Sequence, residues 1–377
     1  MMKILLAPDS FKENLTAVEF CDIAEKGILK IMPDAEIIKM PLADGGEGMV
    51  EAVIASGRGM KVEVDVFGPR YDLAIASYCY LKESKTAVIE MSAASGLPLI
   101  SIEFRNPMET STFGTGQLIA DALDKGCERI VLGIGGSATN DCGMGMIEAL
   151  GAKLFNSKGE KNSSSGRGLL DLYKIDINNL DARLKNIEIT VACDVDNPLY
   201  GPNGAAYVYA PQKGASPEMV KLLDIGLRNF AEVVQRDFGK DVAHIPGAGA
   251  AGGLGAGLVG VLDAKLRPGF DIIEEVLGIE KLIMESKFDL IITGEGQIDN
   301  QTTSGKLPVR IARLGKKYDV PTVAVVGSIG DVSDEIYKSG IVSIFSIIDK
   351  PMSLEEAYAV SDKLLLNCVI RIMRLMK

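Results

Sequence analysis

The chain has 377 residues, 47% hydrophobic and 24% charged, with a formal net charge of −11 and a pI near 4.9. This composition excludes disorder, collagen and coiled coil, and the length allows two or three domains whose cores need no disulfide or metal staple. The acidic balance argues against a nucleic-acid or anionic-membrane binder, so any phosphate chemistry must use local positive potential.

The first sixty residues alternate strand and helix signals. Lys3–Ala7 reads as a buried parallel strand ended by Pro8, too short an apolar run for a leader. Thr16-Ala17-Val18-Glu19 is a capping box that predicts a helix to about Met32-Pro33. Glu36–Pro41 is a second strand and Glu47–Ser56 a second helix, a βαβα order that implies a doubly wound parallel sheet. From Met60 the pattern changes: Lys61–Val66, Leu73–Leu81 and Thr86–Met91 predict an antiparallel meander. A helix near Gly116–Lys125, a strand Arg129–Ile134 and a helix near Gly143–Leu150 follow. Ile187–Ala192 and Ala206–Tyr209 are further strand predictions, and Pro217–Phe238 is a long amphipathic helix. After Met284 the alternation returns, with strands Phe288–Thr293, Thr322–Val326 and Ile341–Ile347 and helices Pro308–Lys317 and Leu354–Met376. Five strands from the two chain ends therefore make one sheet, and residues 67–283 form a large inserted mixed α/β lobe between 1–66 and 284–377.

One histidine, His244, precludes a His-rich metal centre within the chain. The six cysteines have no C-x-x-C pair, and most read as small core residues in a reducing compartment, which makes the cytoplasm the expected location. The uncharged stretch Ile245–Leu262 is too glycine-rich for a membrane span.

Ligands of open parallel sheets bind beyond the strand carboxyl ends, so the strand-to-helix loops carry the functional signal. They read Ala7-Pro8-Asp9-Ser10-Phe11-Lys12, Ala43-Asp44-Gly45-Gly46-Glu47-Gly48, Gly135-Gly136-Ser137-Ala138-Thr139-Asn140-Asp141, Cys193-Asp194-Val195-Asp196-Asn197 and Thr293-Gly294-Glu295-Gly296-Gln297-Ile298-Asp299. Any one of these alone is adequately explained by helix capping or a turn. Their recurrence after nearly every apolar strand points to phosphates held by glycine N–H groups and Mg²⁺ held by carboxylates. No G-x-x-x-x-G-K-[ST] is present. Gly247–Gly252 and Gly255–Gly260 match G-x-G-x-x-G, but Pro246 interrupts the strand that a dinucleotide site requires, so a packed glycine helix or a phosphate loop is the better reading.

The loops at Ala7–Lys12, Ala43–Gly48, Ile134–Asp141, Cys193–Pro198, Pro246–Gly255 and Thr293–Lys306 resemble, in order and across the whole chain, the motifs of the bacterial type I glycerate kinases. The sequence departs at Glu13-Asn14, where smaller residues are frequent, and at Cys142, where glycine is common. The resemblance implies a flavodoxin-like (Rossmann-like) lobe, discontinuous in sequence, plus an inserted α/β lobe, with the active site in the cleft between them. It also implies ATP- and Mg²⁺-dependent phosphorylation of glycerate, most often giving 2-phosphoglycerate. Asp194, Lys12 and Asp44 are then the expected catalytic residues. Asp9, Ser10, Arg105 and Asn140 would bind substrate, Arg105 because a guanidinium grips a carboxylate bidentately. Gly135, Gly136, Ser137, Thr139, Gly294, Gly296 and Lys306 would hold the nucleotide, and Asp141, Glu295 and Asp299 the metal. Glycerate and ATP are the expected partners, with no nucleic acid and no membrane. The rival readings are 3-phosphorylation, an NAD-dependent hydroxy-acid oxidoreductase and a non-catalytic small-acid sensor.

Overall fold

The computed structural model describes residues 1–11, 14–43, 48–300, 302 and 305–377. Its strands are β1 (Lys3–Leu6), β2 (Glu36–Lys39), β3 (Met60–Phe67), β4 (Leu73–Leu81), β5 (Thr86–Glu90), β6 (Arg129–Gly133), β7 (Lys153–Phe155), β8 (Lys174–Asp176), β9 (Glu188–Ala192), β10 (Lys265–Arg267), β11 (Leu290–Ile298), β12 (Thr322–Ile329) and β13 (Ile341–Ser346). The chain is mixed α/β and divides into two compact units, the first including Ile273–Lys377 and most of the N-terminal 58 residues, the second including Gly59–Ile272.

In the first unit, five strands form one parallel sheet in the order β13-β12-β11-β1-β2. Ile4, Leu5 and Leu6 are all fully buried, as a central parallel strand covered on both faces requires. Along β12, Val323 and Val325 enter one apolar cluster while Ala324 and Val326 enter another, because alternate side chains point to opposite faces. Helices Ala17–Ile31 and Ser361–Met376 supply Phe20, Ile28, Leu365 and Val369 to the first cluster. The capping box begins the earlier helix as the sequence predicts. Thr16 Oγ1 accepts from the Glu19 amide at 3.1 Å, and Glu19 Oε2 accepts from the Thr16 amide at 2.8 Å.

The second unit holds a six-stranded sheet in the order β10-β9-β6-β5-β4-β3. β3, β4 and β5 pair antiparallel, and β5, β6, β9 and β10 pair parallel. β7 and β8 form a separate antiparallel pair. β3 pairs with β4 over its full length, so the division between units falls before Gly59 rather than after Val66. The second division falls after Ile272 rather than after Ile283, because helix Ile279–Ser286 buries Ile279 and Ile283 within the first unit.

Two elements differ in type or number from the sequence prediction. Ala205–Tyr209 is a helix, not a strand: Ala205, Ala206 and Ala210 are buried while Tyr207 and Val208 are exposed, a helical period rather than an alternation. The closing helix is two, Leu354–Ala359 and Ser361–Met376, broken where Val360 leaves helical geometry at φ −134°. No helix among the described residues is long and apolar enough to cross a membrane.

Candidate active site

Each unit gathers polar residues at the carboxyl ends of two adjacent parallel strands, the edge at which open α/β sheets bind ligands. In the first unit these are β1 and β11. Thr293 Oγ1 donates to the Ala7 carbonyl and the Asp9 amide to the Gly294 carbonyl, both at 2.8 Å, tying the two strand ends together. Asp9 is buried, and its Oδ1 accepts from the Ser10 amide at 2.7 Å. Glu295 is 7% exposed; its Oε1 accepts from Thr302 Oγ1 at 3.0 Å, and Lys306 Nζ stands 3.9 Å from its Oε2. Burial pushes the Glu295 carboxyl up to about 7; the Lys306 charge and the Thr302 hydroxyl pull against this, while Asp9 and Asp299 add to it. Asp299 Oδ1 accepts from the Thr302 amide at 3.3 Å.

In the second unit the strands are β6 and β9, with Gly133 opposite Ala192, so the loops Ile134–Asp141 and Cys193–Pro198 leave the same sheet edge. The glycine-rich segment 246–255 rests on both. A Cβ on Gly252, at φ +69°, would lie 2.1 Å from the Thr139 carbonyl oxygen, and one on Gly247, at φ +86°, 2.8 Å from Cys193 Sγ. Only glycine meets both the left-handed backbone and this approach.

Asp141 closes the first loop and is fully buried. Its Oδ2 accepts from the Thr112 amide and hydroxyl, both at 2.8 Å, and from the Gly145 amide at 3.3 Å; Oδ1 accepts from the Gly143 amide at 3.1 Å. Burial raises its pKa, and these four donors oppose the rise. Three of them converge on Oδ2, and Oδ1 keeps an acceptor position.

Lys213, on the short turn Pro211–Lys213, is also buried. Its Nζ donates to Ser137 Oγ and to the Thr139 carbonyl, both at 2.7 Å. Burial pulls its ammonium down to about 7, with the negative charge of Asp141 opposing. Arg105 reaches the same turn, its Nη1 donating to the Gln212 carbonyl at 3.4 Å. Among the described residues, neither amide atom of the fully buried Asn140 has a hydrogen-bond partner, nor do Thr139 Oγ1 and Arg105 Nε. Asp194 stands exposed past β9, its Oδ1 accepting from the Gly269 amide at 3.0 Å.

The family model described as "Glycerate kinase family" matches residues 4–377. The chain belongs to the glycerate kinase family. It is thereby an enzyme, a kinase. A glycerate kinase of Halalkalibacterium halodurans is 47% identical over 97% of this chain and 96% of its own length. A glycerate 2-kinase of Escherichia coli K12 is 46% identical over 95% of this chain and 93% of its own. A crystal structure from Salmonella typhimurium LT2, provisionally described as a glycerate kinase 2, superposes with a TM-score of 0.88 at 43% identity, covering 100% of this chain and 98% of that one.

In this glycerate kinase family member the expected residues fall into two groups. Asp9, Ser10, Glu295, Asp299 and Lys306 belong to the first unit; Arg105, Gly135, Gly136, Ser137, Thr139, Asn140, Asp141 and Asp194 belong to the second. Lys12 and Asp44 lie outside the described residues. One expectation is corrected. Gly294 and Gly296 sit inside β11 rather than in a loop after it, since the strand runs on to Ile298 in register with β12. A Cβ on Gly294 would lie 2.3 Å from the Val325 carbonyl, so this glycine answers a packing need. Asp141 spends most of its acceptor capacity on the loop, with three donors on Oδ2 and one on Oδ1. Neither G-x-G-x-x-G match follows a strand; both lie in or next to helix Ala250–Leu262. Cys142 has φ +52°, a left-handed backbone that glycine adopts without strain, in keeping with the glycine that the resemblance led one to expect there. Lys213 was missed by sequence reasoning, because it follows a helix rather than a strand and reads as an ordinary solvated lysine. The only signal was its place in Pro211-Gln212-Lys213-Gly214, a turn whose glycine stands at φ +92° against Arg105.

Proposed function

We propose that the chain transfers the γ-phosphoryl group of ATP to D-glycerate with Mg²⁺, giving 2-phosphoglycerate. The observation that carries the choice of hydroxyl is the Escherichia coli relative named glycerate 2-kinase, 46% identical across nearly the whole chain. Phosphoryl transfer needs an oriented acceptor hydroxyl and neutralised charge on the moving group. Asp194 is read as a catalytic carboxylate, base or metal ligand, with Lys12 and Asp44 as further catalytic residues. Arg105 and Asn140, with Asp9 and Ser10, are read as contacts to the substrate. Lys306 and the Gly135 and Gly136 amides are read as phosphate contacts. The strand order of the first unit, 2-1-3-4-5 when its own strands are numbered, supports a flavodoxin-like reading of that unit.

The donor chemistry of the first unit fits Mg²⁺. Asp9, Glu295 and Asp299 are hard oxygen donors, and the charges of Asp9 and Asp299 act on the Glu295 carboxyl. Among the described residues no three acidic, cysteine or histidine groups cluster tightly enough to cage an ion. Mg²⁺ suits that, since it binds through one or two carboxylates together with water and phosphate oxygens. Bound there, the ion would neutralise phosphate charge. The cytoplasm is the proposed location.

The test is a reaction of D-glycerate, ATP and Mg²⁺, quenched and treated with enolase alone. Phosphoenolpyruvate is expected directly. ADP without phosphoenolpyruvate, with 3-phosphoglycerate in the product NMR spectrum, would move the acceptor to the 3-hydroxyl. No phosphorylated product from folded protein would sink the reading.

A further inference from the structure

Lys213 is a buried ammonium whose two hydrogen bonds both go to neutral oxygens, and no described carboxylate pairs with it within ion-pair distance. Burying a cation without a counter-charge is costly, and so is burying a carboxamide with neither its donor nor its acceptor used. Here both costs fall in one place. Lys213 grips Ser137 and the Thr139 carbonyl, and the next residue is Asn140 with both amide atoms unpartnered, beside the unpartnered Thr139 hydroxyl. Arg105, with its own unpartnered Nε, holds the turn that carries Lys213.

We propose that Lys213 is a specificity-determining residue of this site, receiving the carboxylate of an α-hydroxy acid whose hydroxyl is taken by the Asn140 amide. The assignment rests on the glycerate reading above and adds to it the residue that reads the acid's charge. An ammonium complements a carboxylate, and a carboxamide offers a donor and an acceptor side by side. A hydroxyl next to a carboxylate presents the matching pair. A fully ionised phosphoryl group has only acceptors and would leave Asn140 Oδ1 unsatisfied. The ligand would thus supply both missing partners: a negative charge for Lys213 and a hydrogen bond to each side of the Asn140 amide.

Two variants separate charge from support. Lys213→Gln keeps two donor hydrogens for Ser137 Oγ and the Thr139 carbonyl but removes the charge; Lys213→Met removes both. Calorimetric titration of the full chain with D-glycerate, glyceramide and inorganic phosphate, alongside steady-state kinetics, reads the difference. Lys213→Gln is expected to stay folded, to weaken glycerate affinity about 100-fold and to raise the glycerate KM to match. Its KM for ATP should stay within about threefold, since uniform binding of the nucleotide is untouched. The wild-type preference for glycerate over neutral glyceramide should vanish. Unchanged glycerate affinity in Lys213→Gln overturns the proposal, as does equal loss of glycerate and ATP. Loss of phosphate affinity with glycerate affinity intact overturns the hydroxy-acid assignment. If the wild-type chain phosphorylates no glycerate, the function reading fails on its own. Titrations with D-lactate and glycolate then decide for Lys213: binding that Lys213→Gln weakens about 100-fold supports it, and no binding overturns it.

Discussion

A carboxylate on which four donors converge tolerates no amide in its place. In Asp141→Asn an NH₂ group would face N–H or O–H donors of Thr112, Gly143 or Gly145. The variant is expected to lose about 1–3 kcal/mol, read as a lower urea midpoint. Glu295 and Lys213 behave oppositely, because each costs stability at neutral pH. Glu295 is raised from 4.5 to about 7, so between those values the folded chain holds a proton that the unfolded chain has released, and stability falls as pH rises. Lys213 is lowered from 10.5 to about 7, so the unfolded chain holds the extra proton and stability rises across that window. The two limbs meet in a dip near neutral pH. Glu295→Gln should flatten the acid limb and Lys213→Gln the alkaline limb, each by a slope of up to about 1.4 kcal/mol per pH unit. Urea unfolding across pH 4.5 to 10.5 checks both; a dip unchanged in either variant would assign it to other groups. Groups that cost stability at the working pH are retained for what they do, and here Glu295 stands on β11 while Lys213 grips the loop that follows β6.

Among elements, the glycine-rich segment is the most exacting. Gly252→Ala places a methyl group 2.1 Å from the Thr139 carbonyl in a left-handed backbone, so the Thr139–Asn140 loop has to move. The expected result is a loss of roughly 2 kcal/mol and a fall in turnover, read from a thermal melt and the coupled enolase assay. Thr16→Ala removes the hydroxyl of a two-sided capping box and should cost about 1 kcal/mol with activity unchanged. That box, β1 and the five-stranded sheet were legible in the sequence, because local capping and runs of apolar residues carry them. The extension of β11 was not legible. Gly294-Glu295-Gly296-Gln297 has turn-like composition, and only its neighbour β12 makes it a strand. The Ala205–Tyr209 helix was hidden likewise, since its β-prone Tyr-Val-Tyr owes its conformation to burial of Ala205 and Ala206. The loops that hold Asp9 and Asn140 were found from strand ends alone, and Glu295 came from the same pattern although it stands inside β11. The buried state of Lys213 was not, because burial comes from segments remote in the chain, and sequence carries no local mark of it.

At the scale of the molecule, the two units differ in how they are strung along the chain. Residues 59–272 run continuously and contain the six-stranded sheet with its own core, including Ile89, Leu132, Ile147 and Phe230. That fragment is expected to fold alone, giving a cooperative melt and dispersed amide NMR spectra. Residues 1–58 should not, because β1 lies between β2 and the distant β11. A folded 1–58 fragment, or an unstructured 59–272, would contradict this division. The pairing of Ile4 with Leu290 also sets an order of events on the ribosome. β1 has β2 close behind it but has to wait for its other partner, synthesised nearly three hundred residues later, roughly 15 to 60 s at ordinary elongation rates. The segment 59–272 can collapse in that interval. β1 meanwhile exposes Ile4, Leu5 and Leu6, which makes it a segment in need of a chaperone, and slowing translation should lengthen its capture.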